Sequence, residues 1–255
     1  MTRMPVIFAG HGNPMNAIED NAFTQKWEEL GKKIPKPVVI LAISAHWYTE
    51  GTKTSDTVEP KQIYDMYGFP KALYELKYPV KGSKAFAEQL VGLLGDEVTI
   101  DNRWGIDHGT WSVLCKMFPE ADIPVVQLSV NLRAPAQKHF EIGQKLKALR
   151  EQGILIFASG NVVHNLSLVN WNMADGYPWA QEFDDYIKNR ILAHDFDGCV
   201  NYERAGACAE KAFYTPDHYY PLLYALGAVD PKDTIEVYND KCLMGAMSMT
   251  GYYFY

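Results

Sequence analysis

Four short, mainly apolar runs constrain the fold of this chain more than any other feature. They are residues 5–9, 38–44, 124–130 and 154–158, each rich in Val or Ile, with Ser44, Gln127 and Ser129 their only polar residues. A strand with one wet face alternates; a run apolar throughout predicts a strand covered on both faces. Residues 97–101, 234–238 and 246–254 read as further strands. Helical spacing fills the intervals. Phe23, Trp27, Leu30 and Ile34 recur behind Asn21 as N-cap, and Phe86, Leu90 and Leu94 follow Gly82-Ser83. Ile142, Leu146 and Leu149 run to Gly153, Trp179, Phe183, Ile187 and Ile191 mark a fourth helix, and residues 221–226 a fifth behind Thr215-Pro216-Asp217. No linker or repeat divides the chain. The expectation is an α/β fold, one catalytic domain over residues 1–255, with a central, mostly parallel mixed sheet flanked by helices on both faces.

In such sheets ligands bind beyond the carboxyl ends of the strands. The run ending at Ala9 leads into Gly10-His11-Gly12-Asn13-Pro14, the run ending near Ser44 into Ala45-His46-Trp47, and the run ending at Ala158 into Ser159-Gly160-Asn161-Val162-Val163-His164-Asn165. Three strand ends thus bring His11, His46 and His164 to one edge, which points to a metal held by imidazoles. His108 lies in a polar, glycine-bearing stretch entering a helix, where Asp107 also reads as an N-cap, and His218 in the first turn of another helix. His139 beside Lys138 and His194 beside Asp195 read as solvated. HExxH, GxGxxG, Walker and GxSxG motifs are absent, which removes zincin, nucleotide-binding and nucleophile-elbow readings.

The formal net charge is −7 and no basic stripe is visible, so a nucleic-acid partner is not expected; Lys32, Lys33 and Lys36 read as a solvated helix end. No apolar run approaches a membrane span, and the first residues do not resemble a signal peptide. The four cysteines form no CxxC pair, and Cys115 reads as a buried thiol. The expectation is a cytoplasmic protein with reduced thiols, a monomer or small homo-oligomer.

Gly10-His11-Gly12-Asn13-Pro14, Ser44-Ala45-His46-Trp47, Asp107-His108-Gly109, Ser159 to Leu166 and His218-Tyr219-Tyr220-Pro221-Leu222 occur in that order. Together they strongly resemble the 4,5-DOPA extradiol dioxygenase-like family, a branch of the class III extradiol ring-cleaving dioxygenases. The resemblance implies one non-haem metal, Fe(II) in the active enzyme and often Zn(II) in isolated protein. It assigns His11, His46 and His218 as ligands, His164 as catalytic base or as a fourth ligand with zinc, and His108 as a histidine contacting substrate. It implies a small aromatic diol and O2 as partners, with both oxygen atoms inserted into the ring. This chain has Asn13 where the family usually has serine, a small change since both side chains hydrogen-bond locally. It has His218 where more distant relatives use glutamate, so three neutral imidazoles leave the metal's charge uncompensated. That favours an anionic catecholate and raises the Fe(III)/Fe(II) potential.

Asn13, Trp47 and Tyr219 are expected to bind substrate, within an aromatic neighbourhood that includes Tyr48, Trp111 and Tyr220. Asn13, Asn161 and Arg103 offer themselves for a substrate carboxylate. Two other readings use the same residues. A zinc-dependent hydrolase would keep three ligands and a metal-bound hydroxide, with His164 as base. A non-enzymatic metal sensor would need a moving element or a partner surface, and the sequence advertises neither.

Overall fold

The computed structural model describes residues 2–255. Strands β1 (Val6–Gly10), β2 (Val39–Thr49), β5 (Val125–Asn131) and β6 (Ile154–Gly160) are the four apolar runs; β3 (Thr52–Thr54) and β4 (Val98–Ile100) precede β5, while β7 (Ile235–Tyr238), β8 (Cys242–Leu243), β9 (Met247–Ser248) and β10 (Gly251–Phe254) close the chain. Eight strands form one sheet in the order β4-β3-β5-β2-β6-β1-β10-β7, and β8 and β9 pair separately. The centre β5-β2-β6-β1 is parallel, and β3 and β10 run antiparallel to their inner neighbours.

The helices are α1 (Ala22–Lys33), α2 (Lys71–Glu75), α3 (Lys84–Leu94), α4 (His108–Met117), α5 (Ala136–Leu146), α6 (Pro178–Leu192), α7 (Phe196–Val200), α8 (Ala209–Ala212) and α9 (Tyr220–Gly227). Successive residues of β1 serve opposite cores. Val6 and Phe8 pack in the layer of α3, α5, α6 and α9, and Ile7 and Ala9 in the layer of α1 and α4. This two-sided burial is why β1, β2 and β6 are apolar almost throughout, whereas β5 buries Gln127 and Ser129 on one face, bonded to Asp107 and to the Lys53 amide. Helix α1 begins where the sequence predicts: the Asn21 side chain accepts from the Phe23 and Thr24 amides, and Thr24 Oγ accepts from the Asn21 amide. Behind the sheet, Arg150 makes a bidentate pair with Asp233 and donates to the Met4 carbonyl, tying the chain's beginning to its last third.

Several expectations need correction. The strand predicted to end near Ser44 continues to Thr49 through a register shift between Ser44 and Tyr48, so His46 lies within β2 rather than after it. The segment 246–254 is two strands, with Met249 and Thr250 between them. His218 lies in the turn before α9, not in its first turn. Cys115 is only partly buried. His139 is not solvated: it is wholly buried, with Nδ1 3.0 Å from the Tyr224 hydroxyl. His194 is exposed, as expected.

Burial pulls the His139 pKa down to about 4. Because that value lies below the ordinary 6.5 of an unfolded histidine, the unfolded chain takes up the proton first. The stability His139 confers is therefore complete above pH 6.5 and is lost as pH falls from 6.5 toward 4, on the order of 3 kcal/mol across that window. Urea midpoints measured between pH 7 and pH 4 should fall more steeply for the parent protein than for a His139→Gln variant. Parallel curves would remove His139 from the acid sensitivity.

Candidate metal centre

β1 and β6 end side by side, and Ala9 and the mid-strand Ser44 of β2 are both in register with Ser159. His11 follows β1, its amide bonded to the Gly160 carbonyl at 3.1 Å. The turn carrying His218 rests on the end of β6: the Asn161 amide donates to the His218 carbonyl at 2.9 Å. A Cβ at Gly160 would fall 2.0 Å from that carbonyl oxygen, so only glycine lets the two segments meet. Gly109 does the same for His46, whose Cδ2 would lie 2.7 Å from an added Cβ.

Five imidazoles meet here. The rings of His11, His46 and His218 are 4.9 to 5.2 Å apart between centroids, and one donor nitrogen from each lies within 4.8 Å of the others. His108 packs 3.9 Å from the His46 ring, and His164 stacks on His218 at 3.5 Å with the planes 8° apart.

The hydrogen bonds fix which nitrogen of each of the His11, His46 and His218 rings is free. Ser159 donates its hydroxyl proton to the Gly109 carbonyl, so its oxygen accepts from His11 Nδ1 at 3.0 Å. His46 Nδ1 donates to Asp65 Oδ2 at 2.9 Å, and His218 Nδ1 donates to Asp217. Each Nδ1 is thus occupied, leaving three Nε2 atoms to face one another. His218 Nε2 is buried with no hydrogen-bond partner. His11 Nε2 and His46 Nε2 are 3.1 Å apart, a separation at which two lone pairs repel unless a proton or a cation lies between them. The donor set therefore fits a metal ion, with anchored outer nitrogens of the kind that orient histidine ligands.

Electrostatics agree. Burial, then the neighbouring histidines, holds His11 and His218 well below the usual imidazole pKa, keeping both neutral and able to ligate. Burial pulls hardest on His46, but the Asp65 hydrogen bond together with the charges of Asp65, Asp107 and Asp217 outweighs it and leaves His46 raised. Asp65 itself is driven far below the carboxylate range: its bonds to His108 and His46 overcome burial, which acts the other way. Asp65 Oδ1 accepts from both the backbone amide and Nδ1 of His108 at 3.0 Å. His46, Asp65 and His108 also bring donor atoms within 4.8 Å of one another. Because the carboxylate accepts from both Nδ1 atoms, this trio is a hydrogen-bonded bracket for the two rings.

Neither Asp65 nor Asp217 was picked out by sequence reasoning. Asp217 adjoins His218, and that adjacency was the available signal; Asp65 stands in the loop between β3 and α2 and carries none. Through them, two of the three imidazoles lean on carboxylates. Asp107 is a buried N-cap of α4, bonded to Thr110, Ser44, Trp104 and Gln127.

The histidines floor a cleft of about 410 Å³. Asn13 lines it, though its side-chain oxygen is engaged with the Met15 amide. Trp47 and Tyr219 do not reach it, correcting their assignment to substrate: Trp47 is buried, and Tyr219 is wholly enclosed, its hydroxyl donating to the Cys199 carbonyl. Asn161 is buried and donates to the Ser248 carbonyl, and Arg103 extends into solvent on Asp101. Neither lines the cleft.

The family described as the catalytic LigB subunit of aromatic ring-opening dioxygenase matches residues 4–255. The chain belongs to this family. It is an extradiol dioxygenase by that membership, acting on an aromatic substrate with O2 at a metal-dependent site. A relative named 4,5-DOPA dioxygenase extradiol from Escherichia coli (strain K12) is 48% identical over 97% of this chain and 93% of its own length. One of the same name from Beta vulgaris is 36% identical over 97% and 95%. The crystal structure of an uncharacterized protein from Escherichia coli K12 superposes with a TM-score of 0.86 at 43% identity, covering 98% of this chain and 99% of the other. Among the described residues, no helix is long and apolar enough to cross a membrane.

Proposed function

We propose that this dioxygenase opens the ring of an L-DOPA-like catechol beside its hydroxyls and inserts both atoms of O2, with Fe(II) held by His11, His46 and His218. The observation that carries this reading is the convergence of three Nε2 atoms at the floor of a cleft, each ring anchored through Nδ1. Bound there, Fe(II) would supply Lewis acidity toward the catechol and redox capacity toward O2, whereas Zn(II), which the same donors suit, would supply only the first.

The chain's own groups divide the remaining work. His164 is held at a pKa of about 4, by burial first and then by the charges of His46 and His108 against that of Asp217. It is therefore neutral at pH 7, with a lone pair to take a catechol proton, and its stacking on His218 sets it beside the ligand cluster. The cluster of three donors within 4.8 Å omits His164, which suits a base better than a fourth ligand. His108 has its Nδ1 committed to Asp65, so Nε2 is the atom left for a substrate hydroxyl. Four free cysteines and a catechol substrate fit a reducing, cytoplasmic setting.

Mass spectrometry of the product of Fe(II)-loaded protein tests the reading. The expected product has the mass of the catechol plus one O2. A quinone, lighter than the catechol by two hydrogens, would contradict it. In the same assay His164→Ala is expected to keep its metal and lose turnover by about a hundredfold or more, the usual range for a general base. Unchanged turnover would remove His164 from the mechanism.

A further inference from the structure

Resting on the catechol reading, the next question is what ring substituent the cleft accepts. Its floor is histidine, but its rim is apolar and exposed. Tyr67 is 93% exposed, Trp171 63% and Leu166 55%, and all three line the cleft together with Met66 and Phe69. They come from two separate connections: Met66, Tyr67 and Phe69 from the loop between β3 and α2, Leu166 and Trp171 from the loop between β6 and α6. Large aromatic side chains left this far in water, gathered at one mouth above a buried polar floor, mark a surface that meets a ligand.

Charge narrows the ligand. The residues lining the cleft include Asp65, and the adjoining cavity of about 340 Å³ behind His164 and His218 includes Asp217. Neither lining contains a lysine or an arginine. Lys71, two residues beyond Phe69, is exposed and paired with Glu75, and Arg103 points into solvent on Asp101; neither lines the cleft. A substrate carboxylate entering the rim would be desolvated beside aromatic faces with no cationic partner, whereas an ammonium would meet ring faces and nearby carboxylates.

We propose that Met66, Tyr67, Phe69, Leu166 and Trp171 form a substituent subsite for catechols with apolar or amine-bearing side chains, and that this subsite does not recognise a carboxylate. Trp171 is its specificity-determining residue, since an indole is the strongest of these faces for both apolar and cationic groups.

Calorimetric binding to Zn(II)-loaded protein tests this without turnover, using dopamine against L-DOPA and methylcatechol against protocatechuate. The carboxylate-free member of each pair should bind at least as tightly as the acid. Trp171→Ala should weaken dopamine and methylcatechol about three- to tenfold, the range for one aromatic contact. Trp171→Arg should reverse the order within each pair, and the exposure of Trp171 leaves the fold able to take either change. Tighter binding of both acids to the parent protein, or Trp171 variants that bind all four compounds as the parent does, would overturn the subsite. Binding in the expected order without O2 uptake by Fe(II)-loaded protein would instead support the subsite and overturn the dioxygenase reading.

Discussion

Replacing His11 or His46 by alanine is expected to abolish stoichiometric metal binding, with affinity for Fe(II) or Zn(II) falling by more than about a hundredfold. Changes to groups that merely orient a ligand already cost ten- to a hundredfold, so loss of a ligand sets that as the lower bound. The two Nε2 atoms stand 3.1 Å apart, and removing either leaves only two of the three converging donors. Either variant should fold, because the cores on the two sheet faces do not depend on these rings. Metal content by elemental analysis after dialysis, beside an unchanged circular dichroism spectrum, checks the prediction. Full occupancy in both variants would falsify the ligand assignment.

The second large effect belongs to Asp65. Its two oxygens hold His46 and His108 together, and its hydrogen bond and charge are the largest of the influences that keep His46 raised against burial. In Asp65→Asn the amide can accept from only one ring, and its nitrogen faces the donor of the other. The expected result is a ten- to hundredfold weaker metal affinity, on the order seen for lost outer partners of ligand histidines. The pH dependence should change in a defined direction. A metal ion must displace the proton that His46 carries, so affinity in the parent falls as pH drops through the raised His46 pKa. Without the carboxylate that pKa drops, and the fall in affinity moves to lower pH. Zinc titrations at several pH values separate this from general damage, which would weaken binding without moving the profile. An unmoved profile with unchanged affinity would remove Asp65 from the centre.

Much of this was legible in the residues, for physical reasons that also mark where legibility ended. Strands buried on both faces are mainly apolar, so the four central strands announce themselves even with Gln127 and Ser129 in β5, and the rule about carboxyl ends then points to His11 and His164. His46 was placed at this edge although its strand was drawn too short. The register shift after Ser44 is set by the neighbouring β5, which a local reading does not see. Trp47 and Tyr219 were assigned to substrate because aromatic residues beside the histidine motifs suit an aromatic ligand. Neighbours along a strand or turn point apart, and both rings are buried away from the cleft. His139 was misread through Lys138, although one step along a helix turns a side chain by about 100°. Asp65 lies in an aperiodic loop far along the chain from both histidines it holds, and only tertiary structure brings them together.

The most direct test of the whole account is oxygen uptake on adding L-DOPA to anaerobically Fe(II)-loaded protein, beside Zn(II)-loaded protein and His218→Ala. The account predicts one O2 consumed per ring-opened product with iron in the parent protein, and none with zinc or without His218. Iron bound at full occupancy with no uptake across a panel of catechols, or uptake that persists without His218, would contradict it.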